Sequence, residues 1–179
     1  MGIIIEESGM KFGEYGEDEV FQIELSEQYT RRLRPNGIKS CEFILKKGKK
    51  LYLFEAKSSC PRQIIAGIPD DERKAKQKAY DDFINEIVLK MRHSLSLYGN
   101  ILMNRYSQTG IHENLLNVDL SDTKIYLVLV INPQSGNWEP EPELQDDLRQ
   151  HMKDEIRIWG IQSLVVITEQ QAREKQFII

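Results

Sequence analysis

Hydrophobic and polar positions follow two different periods along this chain. Apolar residues recur at Tyr80, Phe83, Ile84, Ile87, Val88, Met91, Leu95, Tyr98 and Leu102, in steps of three and four, which predicts one long helix. Asp70 or Asp71 is placed to cap it, and Gly99 to kink or end it. Residues 141–159 carry a second stripe, Leu144, Leu148, Met152, Ile156 and Trp159, with Gly160 as the stop. Residues 125–131 and 164–167 are continuous apolar runs, the mark of strands covered on both faces. Residues 3–7 and 20–25 predict short extended pieces, with turns at Gly9, Gly13 and Gly16. Ser26 is an N-cap candidate for a short helix that Pro35-Asn36-Gly37 ends. Two strands follow, 38–46 and 50–58, joined at Gly48-Lys49 in a type II′ hairpin. Loops are expected around Pro61 and Gly67-Ile68-Pro69 and over 107–122, and a last turn over 172–175. Strands, short helix, hairpin, long helix, buried strand, helix and buried strand predict a single α/β domain over 1–179. Its mixed sheet is expected to carry helices on both faces.

Composition narrows the class. The chain has 179 residues, 40% hydrophobic and 29% charged, which excludes a disordered tail and a fibrous repeat. No apolar run reaches the length of a membrane span, and the first residues lack the basic region of a signal peptide, so a cytoplasmic protein is expected. Cys41 and Cys60 have no metal-like spacing and are expected to be small buried hydrophobes. The net charge of -4 argues at first against a polyanionic partner. Its distribution removes that objection: residues 1–25 are net -6, 26–57 net +6, 58–110 net +2 and 111–179 net -6. Local field decides where a polyanion docks.

The hairpin holds the candidate chemistry. A two-residue loop at 48 and 49 pairs Lys47 with Lys50 and carries the register on to Glu42 opposite Glu55. In that register their Cβ atoms are roughly 4.5–5.5 Å apart. Lys57 shares their face with Ile44 and Leu53, while Cys41, Phe43, Leu45, Tyr52, Phe54 and Ala56 form the other face. Opposed carboxylates on a half-buried sheet repel, so something cationic is expected between them. Mg²⁺ or Mn²⁺ fits that demand, with Lys57 placed to orient or deprotonate an attacking water. A Glu–Lys–Glu ion network fits it equally.

Cys41-Glu42-Phe43-Ile44-Leu45 followed by Leu53-Phe54-Glu55-Ala56-Lys57-Ser58-Ser59 resembles the active-site hairpin of the PD-(D/E)XK nuclease superfamily. The resemblance covers about residues 20–131, leaving N-terminal strands and a C-terminal helix–strand extension around the core. It implies a restriction-endonuclease-like fold and metal-dependent hydrolysis of nucleic-acid phosphodiester bonds. Glu42, Glu55 and Lys57 would be catalytic, and Glu42, Glu55 and the Ala56 carbonyl metal ligands, with Glu24 (or Glu27) as an upstream acid. Gln77 and Tyr80 stand one residue short of the Gln-xxx-Tyr found in some relatives, so no role passes to them. Non-catalytic members of this fold make a binding or interaction module the alternative.

Arg31, Arg32, Lys47, Lys49 and Lys50 surround the hairpin, and Lys74, Lys76 and Lys78 open the long helix. They are candidates to contact the phosphates of DNA or RNA, or to serve as solvated surface charge. His93, His112 and His151 stand outside any metal-binding pattern, and phosphate-loop, dinucleotide and nucleophile-elbow motifs are absent. Trp138 and Trp159 read as packing anchors. A homodimer is the default expectation for assembly.

Overall fold

A computed structural model describes residues 2–61, 67–132 and 142–179. Trp138 and the expected helix start at Glu141 lie outside the described residues. Five strands form a mixed sheet in the order β3-β4-β5-β6-β7: β3 (Val20–Phe21), β4 (Phe43–Lys47), β5 (Lys50–Lys57), β6 (Lys124–Ile131) and β7 (Ser163–Thr168). β3, β4 and β5 are antiparallel neighbours, and β5, β6 and β7 run parallel. A separate antiparallel pair joins β1 (Ile3–Glu7) to β2 (Met10–Tyr15). Gly13 therefore lies inside a strand and not in a turn.

Helix α1 (Glu27–Thr30) starts where expected, the Ser26 hydroxyl accepting from the Tyr29 N–H. A 3-10 turn at Ile23–Leu25 replaces the second half of the expected 20–25 strand. The long helix α2 spans Asp70–Leu102, with Pro69 in the cap position and Asp70 and Asp71 in its first turn. Gly99 does not end it, since the helix continues to Leu102. A Cβ there would meet the Trp159 ring at 2.5 Å, so the glycine makes room for close packing against the second helical region. That region is α4 (Pro142–His151) and α5 (Lys153–Ile158), separated at Met152 and not continuous as the stripe suggests. The polar stretch 107–122 contains one short helix, α3 (Glu113–Leu116), and α6 (Glu169–Glu174) follows β7.

Two cores sandwich the sheet. On one face Ile44, Leu51, Leu53, Leu127 and Leu129 pack under α2 and α4 through Ile84, Ile87, Met91, Leu144 and Leu148. On the other, Phe43, Phe54, Val128 and Ile167 pack under the β1–β2 hairpin, α6 and the C-terminal Phe177 and Ile178. The second face is thus covered by a hairpin and one short helix rather than by a full helical layer. Among the described residues no helix is long and apolar enough to cross a membrane.

Candidate functional site

The β4–β5 ladder keeps the expected register from Lys47↔Lys50 to Phe43↔Phe54 and stops there. Gly48 holds φ at 58°, as the first position of the turn requires. Glu42 does not sit directly opposite Glu55. Its N–H donates to the Phe54 carbonyl at 2.9 Å, so Glu42 and Phe43 both face Phe54, as in a bulge. The extra residue turns Cys41 toward α2, against the expected alternation: Cys41 packs in the α2 core and its N–H donates to the Ser94 hydroxyl at 2.8 Å. Glu42 still reaches the α2 side.

There α2 meets the two acids with a lysine. Lys90 Nζ lies 2.8 Å from Glu55 Oε1 and 3.2 Å from Glu42 Oε1. Lys57 Nζ lies 2.7 Å from Glu86 Oε1 and 3.4 Å from Glu55 Oε1. Glu86 and Lys90 are four apart on one helix face and oppose Lys57 and Glu55, two apart on one strand face. Glu55 is 0% exposed, and its Oε2 has no hydrogen-bond partner among the described residues.

A third set of acids closes the site. Glu24 follows β3, and its N–H reaches the Glu42 carbonyl at 3.4 Å. Glu7 arrives at the tip of the β1–β2 hairpin, whose Ser8 hydroxyl donates to the Ala56 carbonyl at 3.1 Å. Carboxylate oxygens of Glu7, Glu24 and Glu42 lie within 4.8 Å of one another. Burial, a hydrogen bond with Glu24 and the charge of Glu55 push the Glu42 carboxyl up to about 9. Burial also raises Glu55, against the pull of Lys90 and Lys57, and raises Glu7 with help from Glu24. Burial by itself would lower the Lys90 ammonium, but Glu55 and Glu42 carry it upward. The Lys57 hydrogen bond lowers Glu86 despite partial burial. Glu42 therefore holds its proton where an ordinary carboxylate would not, and a divalent cation would compete for the same oxygens.

Of the candidates from the sequence, Glu42, Glu55, Lys57 and Glu24 meet here, and the Ala56 carbonyl faces the hairpin tip. Glu7, Glu86 and Lys90 were missed. Glu86 and Lys90 look in sequence like a solvent-facing i,i+4 pair, and Glu7 reaches the site only through docking of the N-terminal hairpin.

The basic candidates divide differently. Arg31 pairs with Glu27 and Lys49 with Asp122, while Lys76 lies 3.0 Å from Glu72 and Lys78 2.5 Å from Asp82. Arg32 and Lys74 are exposed. Lys47 and Lys50 sit at the turn end of the hairpin, about 17 Å along β5 from Glu55 at the usual strand rise. None of these residues lines the acidic cluster. Comparisons with protein-family models, curated proteins and solved structures found no match.

Proposed function

We propose that this chain is a divalent-metal-dependent phosphodiesterase of restriction-endonuclease-like fold, acting on DNA or RNA through Glu42, Glu55 and Lys57. The observation that carries the reading is the convergence of Glu7, Glu24 and Glu42 within 4.8 Å beside a buried Glu55 with an unpartnered oxygen. An all-oxygen set suits a hard cation such as Mg²⁺ or Mn²⁺. Octahedral ligand oxygens at about 2.1 Å from an ion are about 3.0 Å apart where cis and about 4.2 Å where trans, so the cluster has to draw in around an ion. When bound, the ion supplies Lewis-acid polarisation of the scissile phosphate. The protein's own groups do the rest. Glu42, Glu24 and Glu7 would hold the ion, and Glu55 would turn its free oxygen toward it. Lys57, steered by Glu86, would donate to the attacking water or to the phosphate oxygen where negative charge develops.

Lys90 favours a second reading. Its ammonium already supplies the cation that Glu42 and Glu55 require, as expected of a non-catalytic module stabilised by an internal ion network. An ion that engages both acids has to displace it.

Thermal unfolding with added Mg²⁺ or Mn²⁺ separates the readings. The nuclease reading expects stabilisation that Glu55→Ala abolishes, and metal-dependent cleavage of a nucleic-acid substrate that Lys57→Ala removes. A folded wild type indifferent to both ions refutes it and leaves the network.

A further inference from the structure

The sheet face turned away from Glu55 carries a polar feature of its own. Beside the β4–β5 turn lies a hollow of about 450 Å³, a usual size for a small-molecule site. Its floor is a row across three strands, since Tyr52 pairs with Tyr126 and Tyr126 with Ser163. The two tyrosine rings are stacked, with centroids 5.0 Å apart and planes within 20°. On the far side of Tyr126 the next residue in the row is Ser163, too small to continue the stack.

Three lysines, Lys47, Lys50 and Lys175, also line the hollow, and among the described residues no carboxylate does. Lys47 and Lys50 are direct cross-strand partners, an arrangement that like charges disfavour. Arg31, Lys49, Lys76 and Lys78 each have an acid. Among the described residues, none of the three lysines at the hollow has an ion pair, and Lys47 rests over the Tyr15 ring at 5.5 Å. Uncompensated ammonium groups beside an aromatic step suit a ligand with a planar ring and a compact multiple negative charge.

We propose that this hollow binds a free nucleoside diphosphate. The base continues the Tyr52–Tyr126 stack over Ser163, and the phosphates are held by Lys47, Lys50 and Lys175. The site lies on the opposite sheet face from the acidic cluster and does not depend on metal or on the nuclease reading.

Calorimetric titration of the full chain with ADP, in EDTA so that no metal bridges phosphates to the acids, tests this directly. One ADP per chain is expected, with adenosine and pyrophosphate each bound at least tenfold more weakly. The Lys47→Ala/Lys50→Ala double variant and Ser163→Val, which crowds Tyr126, should each weaken ADP at least tenfold with the unfolding temperature retained. Glu42→Gln should leave ADP affinity unchanged. The proposal is overturned by absence of ADP binding at millimolar concentration, or by pyrophosphate matching ADP. It is equally overturned by wild-type affinity in the lysine double variant, or by a single-stranded oligonucleotide outcompeting ADP at these residues.

Discussion

Strand β5 has two faces that solve different problems. Toward the β1–β2 hairpin it presents Phe54 and Ala56, in a core where the Phe43 and Phe54 rings stack at 4.8 Å and Phe177 meets Phe54 edge-on at 4.9 Å. Toward α2 it begins with Leu51 and Leu53 and then changes to Glu55 and Lys57, under Glu86 and Lys90. Both faces are buried beside Glu55, yet one is closed by dispersion and area, the other by charge. Burying a carboxylate costs far more than burying a phenyl ring returns unless the charge is paired. The apolar face adds stability without a polar cost. On the other, the buried carboxylate offsets part of what Leu51 and Leu53 add, and Glu55 Oε2 is left without a partner among the described residues.

The largest effect that breaks this contrast is on the apolar side. Phe54→Ala should cost about 3–5 kcal/mol in chemical denaturation, because the ring is fully buried. It should leave the direction of any metal response unchanged, and loss of that response in a folded variant would mean that the faces are not independent. Lys90→Met comes next. It removes the cation from Glu42 and leaves Glu55 with Lys57 alone, and should cost about 3 kcal/mol without metal. Mn²⁺ should then stabilise it more than it stabilises wild type, since no ammonium competes. If the network is the cluster's whole purpose, Mn²⁺ restores nothing. Ser94→Ala removes the buried partner of the Cys41 N–H and should cost about 1–3 kcal/mol, read by urea unfolding. It tests whether the bulge that turns Cys41 toward α2 depends on that hydrogen bond.

Much of this architecture is legible in the residues. The α2 stripe, the Ser26 cap and the Lys47↔Lys50 register follow from periodicity and turn chemistry, because they are local. The bulge at Glu42 is not local. Its neighbour Cys41 bonds to Ser94, more than fifty residues away, and the alternation rule places Cys41 on the wrong face. The acid–acid–lysine centre was visible as polar residues interrupting apolar strands. Its second half was hidden: Lys90 and Glu86 have the spacing of an ordinary surface pair, and Glu7 is brought in by tertiary docking alone.

A further expected effect is on pH dependence. Glu42 in the folded chain holds its proton above the ordinary carboxylate value, and the unfolded chain releases it earlier. The folded state thus binds more protons between about pH 5 and 9, so metal-free stability should fall as pH rises through that window. Its contribution is complete below the ordinary value and lost above the raised one. Lys90 is raised beyond its ordinary value and adds no slope in that window. Glu55 and Glu7, also raised, add to the same decline. Thermal unfolding in EDTA should show it, and Glu42→Gln should make it shallower. An unchanged slope in that variant would assign the effect to other groups.

The most direct test of the central claim, that the buried acids form a cation site, is Mn²⁺ binding followed by loss of the free-ion electron paramagnetic resonance signal. Wild type should take up one Mn²⁺ per chain, and Glu42→Gln should bind it at least tenfold more weakly. A folded wild type that leaves Mn²⁺ free at millimolar concentration would contradict the claim.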